Sequence, residues 1–294
     1  MIYKTFTSFK RAFTMLELVL VIVILGIVAS VGASAIANVY ESYIVQRAVH
    51  RASNKAELAA MQIANRLAYR ISSSVIGRVG AATTPIPLDQ VPDDSYKVLE
   101  WIAYDNDSFS AQSTPGWSGY CDLNDTVNTT KTQISTPGSG LGTTNSIIGE
   151  LSSGTKNISD AAIIFEGHEY SPTKNYIAGC MGFTDNTCIS PVNTGTGTSI
   201  ALEDNNAKVM RDQYKLAWSA YALVPVGNTL TLRYNYQPWD GSQSANGSSR
   251  VLVDKFVSFR FKGDGDTIRF KLCIEEEIAA DESVTICKEK AVIR

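Results

Sequence analysis

Histidine is almost absent from this chain. The two present, His50 and His168, are far apart, and no His/Cys/Asp grouping has metal-ligand spacing. No CxxC, GxSxG or phosphate-binding loop occurs, and no nucleophile has an obvious base beside it. These absences remove the common zinc, nucleophile-elbow and nucleotide chemistries, so no enzyme, metal or cofactor is expected. Charge is also modest, at 19% of residues with a formal net charge of −3. The first twelve residues hold Lys4, Lys10 and Arg11 and no acid, so the remainder carries −6. That balance gives no ground for assigning a nucleic-acid partner. Proline is missing up to Pro85, so proline breaks no helix before that point.

What the chain does have is an apolar run near its start, "RAFTMLELVLVIVILG" from Arg11 to Gly26. Between Leu18 and Val31 only Gly26 and Ser30 are not aliphatic. With the flanking Phe13, Met15, Leu16 and the small residues to Ala37, about 24 residues can lie in lipid, and a spanning helix needs roughly 20. The basic residues ahead of it belong on the cytoplasmic side. A plain signal anchor would explain that much, but not Glu17. A carboxylate at mid-bilayer costs about 2.5–3.5 kcal/mol, less near an end, and such a residue usually has a partner. A secretory signal is cut after its apolar core, whereas here the plausible cut lies before it, after Ala12. The new amine of Phe13 would then stand at i,i+4 from Glu17. In a bundle of parallel helices it could also meet the Glu17 of a neighbour.

The stretch "FTMLELVLVIVILGIVAS" closely resembles the class III signal of type IV pilins and type II secretion pseudopilins. The pattern is a basic leader, a small residue at the cut, then Phe-Thr-(Leu/Met)-(Ile/Leu)-Glu and an aliphatic run with a glycine. Phe13, Thr14, Met15, Leu16, Glu17 and Gly26 match it; Ala12 stands where glycine is usual, and the proline often found further along is missing. The resemblance covers some 20 residues. It implies cleavage between Ala12 and Phe13 by a prepilin peptidase and methylation of the Phe13 amine. It also implies an inner-membrane protein with a cytoplasmic N-terminus and a periplasmic head. That protein would later be built into a filament by an inner-membrane assembly platform and its ATPase. The partners implied are other pilins or pseudopilins, with the membrane as host before assembly.

The helical period continues through Val45, Val49, Ala52, Ala56, Ala59, Ile63, Leu67, Ile71 and Val75, with Gly77 and Gly80 as stops. One helix is expected from Phe13 to about Ile76, its second half packing this stripe on a head. After a Pro-rich segment (81–94) the period becomes two. Strands are expected at Tyr96–Asp105, Ala161–Gly167, Tyr214–Val224, Thr229–Pro238, Val251–Gly263, Thr267–Glu276 and Ser283–Ile293. Residues 106–160, mostly Ser, Thr, Asn and Gly, read as a long surface excursion pinned by Trp117, Cys121 and Ile147–Ile148. The fold class expected is α+β: a pilin-like long N-terminal helix on an antiparallel β-sheet head. Its divisions are a leader at 1–12, a membrane or filament-core helix half at 13–37, an amphipathic half at 38–80 and the head at 81–294. The last strands resemble, more weakly, the larger minor pseudopilins of the J type.

Of the five cysteines, Cys273 and Cys287 face each other if the last strands form a hairpin centred near Ala280, and Cys180 with Cys188 closes a small loop. Both pairs suit an oxidising compartment and leave Cys121 over. "GDGDT" (Gly263–Thr267) reads as a turn, with Asp264 and Asp266 as a sparse calcium alternative. "DLNDT" places Asn124 in an acidic N-glycosylation sequon. The expected function is a structural minor pilin or pseudopilin subunit. The alternative is a tip binding module for an adhesin ligand, secretion substrate or DNA, for which the polar excursion and Trp101, Trp117, Trp218 and Trp239 leave room.

Overall fold

The computed structural model describes residues 14–111, 113–165, 179–203, 210–279 and 282–293. Helix α1 (Met15–Ala68) has 54 residues and is about 81 Å long at 1.5 Å per residue. It begins at Thr14, whose backbone is extended and whose hydroxyl oxygen accepts the Glu17 N–H at 3.2 Å. Residues 15–43 are all exposed, so about 43 Å of helix projects from the head. This part has a window of mean hydropathy 2.8 and is long and apolar enough to cross a membrane. From Ala48 onward the helix buries a stripe: Ala48, Ala52, Ala56, Ala59, Ala60, Ile63 and Leu67. Small side chains at these positions let the helix axis lie close to the sheet beneath.

The helix ends at Ala68 and not at the expected Ile76, so the amphipathic half stops well short of residue 80. Ile71 donates its N–H to the Ile102 carbonyl at 2.9 Å, Arg70 forms a bridge to Ala103, and the Ser74 hydroxyl bonds the carbonyls of Ile71 and Ile102. Ile71 and Val75 are buried, as their period requires, but against a sheet. The run Ser72-Ser73-Ser74 offers the backbone side-chain hydrogen bonds that compete with helix, and the chain passes into a strand.

Fourteen strands are found among the described residues, all paired antiparallel. In chain order they are β1 (Ile76–Arg78), β2 (Ile86–Pro87), β3 (Val98–Ala103), β4 (Gln133–Ser135), β5 (Ala162–Phe165), β6 (Ser190–Thr196), β7 (Ser199–Leu202), β8 (Tyr214–Ala217), β9 (Ser219–Val226), β10 (Thr229–Tyr236), β11 (Ser248–Val253), β12 (Phe256–Asp264), β13 (Thr267–Ala279) and β14 (Glu282–Val292). They make a six-stranded sheet β11-β10-β9-β3-β1-β2, a five-stranded sheet β4-β7-β6-β5-β8 and a three-stranded sheet β12-β13-β14.

Alternation along β3 explains the layering. Leu99 and Trp101 face one way and join Leu223, the stripe of α1 and the inner face of the three-stranded sheet (Phe259, Phe270, Leu272) in one core. Val98 and Ile102 face the other way and pack with Ala220, Ala222 and residues of the five-stranded sheet. The head is therefore a helix-plus-sheet α+β assembly.

The excursion at 106–160 differs from the expectation of a surface loop. It contains α2 (Asn106–Phe109), β4 and α3 (Leu141–Leu151). Trp117, Ile134, Leu141, Ile148 and Ile158 build a third core there with Phe165 and Ile200. Two expected strands are split. Tyr214–Val224 breaks at Trp218, and Val251–Gly263 breaks at Asp254–Lys255, where Lys255 takes φ 54°. Strands β6 and β7 were not expected from sequence. The Pro-rich segment carries β2 and buries Leu88. The part of Ala161–Gly167 beyond Phe165, His168 and the hairpin tip at Ala280 lie outside the described residues.

Candidate functional site

The apolar end of α1 is the most distinctive surface. Glu17 is exposed in the first turn, just ahead of the uncharged stretch. Thr14-Met15-Leu16-Glu17 is an S/T-x-x-E sequence, and the Thr14 hydroxyl makes the forward bond of a capping box. Sequence reading treated Glu17 only as an assembly acid; its three-residue step from Thr14 was the signal for the cap that the Thr14 hydroxyl places on the Glu17 N–H. An acid in the first turn also complements the helix dipole, worth about 0.3–1 kcal/mol. Ala12 and Phe13, where cleavage and methylation are expected from the sequence, lie outside the described residues.

Both expected disulfides are present. Cys180 and Cys188 are bonded with Cα atoms 5.2 Å apart. Cys273 and Cys287 are directly opposite in the β13–β14 ladder and bonded, Cα atoms 4.0 Å apart. Cys121 is a buried free thiol. Burial pushes its pKa up to about 11, and Asp122 and Asp212 add to the shift, so at neutral pH it is protonated and a poor nucleophile. At "GDGDT" Asp264 pairs with Thr267 and Gly265 has φ +57°, the geometry of a tight hairpin turn. No group of three or more His, Cys, Asp or Glu that could hold a metal occurs among the described residues. Asn124 is exposed in a turn and donates its N–H to Asp122 Oδ1 at 3.0 Å. His50 is exposed with Asn54 at 3.1 Å.

The four tryptophans are not displayed. Trp101, Trp117, Trp218 and Trp239 are all buried in the cores. A groove of about 590 Å³ does open between the last turns of α1 and the β9–β11 side of the six-stranded sheet, lined by Arg66, Tyr69, Asp105, Tyr221 and Tyr234 among others. The Arg66 guanidinium lies 5.7 Å from the Tyr221 ring centroid, and Tyr221 stacks on Trp101 at 5.8 Å. Burial pushes the Asp105 carboxyl above its usual range, partly opposed by the Ser108 hydrogen bond.

Sequence reading missed one buried charge cluster beside the groove's sheet. Glu100 is 2% exposed; it accepts from Arg78 Nε at 2.7 Å and from the Tyr236 hydroxyl at 2.7 Å. Burial raises the Glu100 carboxyl despite both partners. It also holds Tyr236 well above its ordinary value, with the Glu100 charge adding to the effect, so Tyr236 remains a hydrogen-bond donor. The legible signal was an acid inside "VLEWIA", at the same alternation phase as Val98 and Ile102. Set beside family models, curated proteins and solved structures, the chain matches none of them.

Proposed function

We propose that this chain is a structural minor pilin or pseudopilin subunit of a periplasmic or surface filament. The observation that carries the reading is one continuous helix in two halves. The first half, opening on Thr14-Met15-Leu16-Glu17, is apolar and free of the head; the second is locked to it by an alanine-rich stripe. A helix built that way suits storage in lipid before assembly and packing against parallel copies afterwards. Loss of residues 1–12 frees the Phe13 amine. Glu17, costly in lipid, is satisfied by a neighbour's amine, which sets the register of each added subunit.

The place of Glu17 in the first turn gives the test its form. Glu17→Ala removes the charge and shortens the side chain, whereas Glu17→Gln removes the charge and keeps the length; both keep the backbone N–H that the Thr14 hydroxyl caps. Truncating one member of a desolvated charge pair costs about 2–5 kcal/mol, tenfold or more at 1.4 kcal/mol per decade. Loss of the dipole contact costs about 0.3–1 kcal/mol. Both variants should therefore enter sheared filaments at a tenth of the wild-type level or less, at equal membrane levels. Normal incorporation of Glu17→Gln would show that the charge is dispensable and refute the register role.

The Arg66–Tyr221 groove favours a second reading, a binding module at a filament tip. Quantitative mass spectrometry of filaments separates the two: a copy number that grows with filament length supports the shaft subunit, and a constant one per filament supports the tip.

A further inference from the structure

The solvent face of the three-stranded sheet is polarised along its strands. At the end near the β12–β13 turn, Arg260 stands opposite Lys271 and Lys262 opposite Arg269, all exposed. Like charges directly opposite are destabilising, and here two such pairs lie side by side. Arg260 has an ion pair with Asp94 at 3.0 Å, Glu289 is opposite Lys271, and Asp264 follows Lys262 on the same face. Further along the same strand the sign reverses. Glu275 and Glu277 point to the same solvent side, opposite Thr285 and Ser283, and Glu282 is exposed beside them. The cation at this end, Lys255, is paired with the inner Glu276 at 3.5 Å. The Cys273–Cys287 disulfide lies between the two ends.

Contacts with α1 fix the direction of this polarity. At the acidic end Glu276, on the inner side, pairs with Lys55 at 3.5 Å. At the basic end Arg70 donates to the Asp266 and Val292 carbonyls. Lys55 precedes Arg70 by about 22 Å along the helix. The acidic end is thus nearer the apolar half of α1 and the basic end further from it.

We propose that this face is a head-to-tail contact between copies of this chain, the basic end of one docking on the acidic end of the next. This rests on the filament reading above. Two chains rooted in one membrane hold their α1 helices parallel. A two-fold dimer that matched opposite charges on this face would need them antiparallel. Parallel copies displaced along the helix axis match basic to acidic without that reversal. Two different patches of one surface that complement each other generate an open helical assembly.

The test uses zero-length carbodiimide coupling, which joins a lysine to a carboxylate only in contact, on membranes containing the full chain. Lys271 and Glu277 are about 20 Å apart within one chain at 3.4 Å per residue, so a Lys271–Glu277 or Lys262–Glu277 link joins two copies. Such links are expected. In parallel, two differently tagged copies are co-purified. Recovery should fall at least tenfold when both carry Arg269→Glu with Lys271→Glu, and again when both carry Glu275→Lys with Glu277→Lys. It should return when one copy carries each set, which shows that the variants fold. Absence of the links, links only to another protein, or no rescue in the mixed pair overturns the proposal. The amino terminus found in the same sample reports separately on the filament reading: a processed chain without these links sinks the contact alone.

Discussion

Replacing Arg78 by Met tests the buried cluster at the centre of the head. The substitution keeps the apolar stem and removes the charge that holds Glu100. Their side chains are 11% and 3% exposed, and the Tyr236 hydroxyl remains as the other partner of the carboxylate. Removing one member of a buried pair costs about 3–5 kcal/mol; the residual access at Arg78 favours the lower end. At about 2–4 °C per kcal/mol for a domain of this size, the thermal midpoint should fall by about 6–12 °C near neutral pH. The pH dependence has a definite sign. Glu100 in the folded chain holds its proton above its ordinary value. Such an acid loses stability as pH rises from the ordinary value through the raised one, and is indifferent below it. Losing Arg78 raises the folded value further, so the gap between variant and wild type should shrink as pH is lowered towards 4, the ordinary carboxylate range. The assay is circular-dichroism melting of the full chain in detergent from about pH 4 to 8, with Arg78→Met/Glu100→Gln as control. The control removes both charges and should recover much of the loss. A drop below about 1 kcal/mol at neutral pH, the scale of an exposed pair, or a gap that does not narrow on acidification, would refute the reasoning.

Three other outcomes are expected. Cys273→Ser with Cys287→Ser removes a 14-residue closure, worth about 3 kcal/mol on the chain-entropy model; an unchanged melting midpoint would show that the ladder alone sets the hairpin. Ala56→Leu, at a fully buried position, overpacks the contact of α1 with the head and should cost about 1–3 kcal/mol; a neutral result would place the stripe in a looser interface. Cys121, buried and protonated, should resist alkylation by a neutral thiol reagent in the folded chain and react on unfolding; rapid labelling of native protein would contradict its placement.

Much of this architecture can be read in the chain, for reasons that differ by element. The projecting half of α1 needs only composition and an uninterrupted run. β12, β13 and β14 alternate because one side faces a core and the other faces water, and the same alternation puts Cys273 opposite Cys287. The end of α1 was not legible, because Ile71 and Val75 continue a helical period while being buried by β3 and its neighbours. The stretch 106–160 was misread because its core anchors come singly, one or two to each short element, so no window shows a period. β6 is rich in Ser, Thr and Gly and β7 is only four residues long, poor strand signals that pairing with each other and with β5 overrides. The Thr14 cap was visible as T-x-x-E, and Glu100 as an acid in phase with buried neighbours. Groove residues such as Arg66 and Tyr221 come from distant segments, and only tertiary packing joins them.

The most direct test of the central claim is the mass of the mature amino terminus, taken on the full chain extracted from membranes of a cell that has a prepilin peptidase. The filament reading predicts a chain that begins at Phe13 and carries one added methyl group on its amine, with the Glu17 variants cut at the same bond. A chain that retains residues 1–12, or that begins after the apolar run, at a small residue such as Ala37, would contradict it.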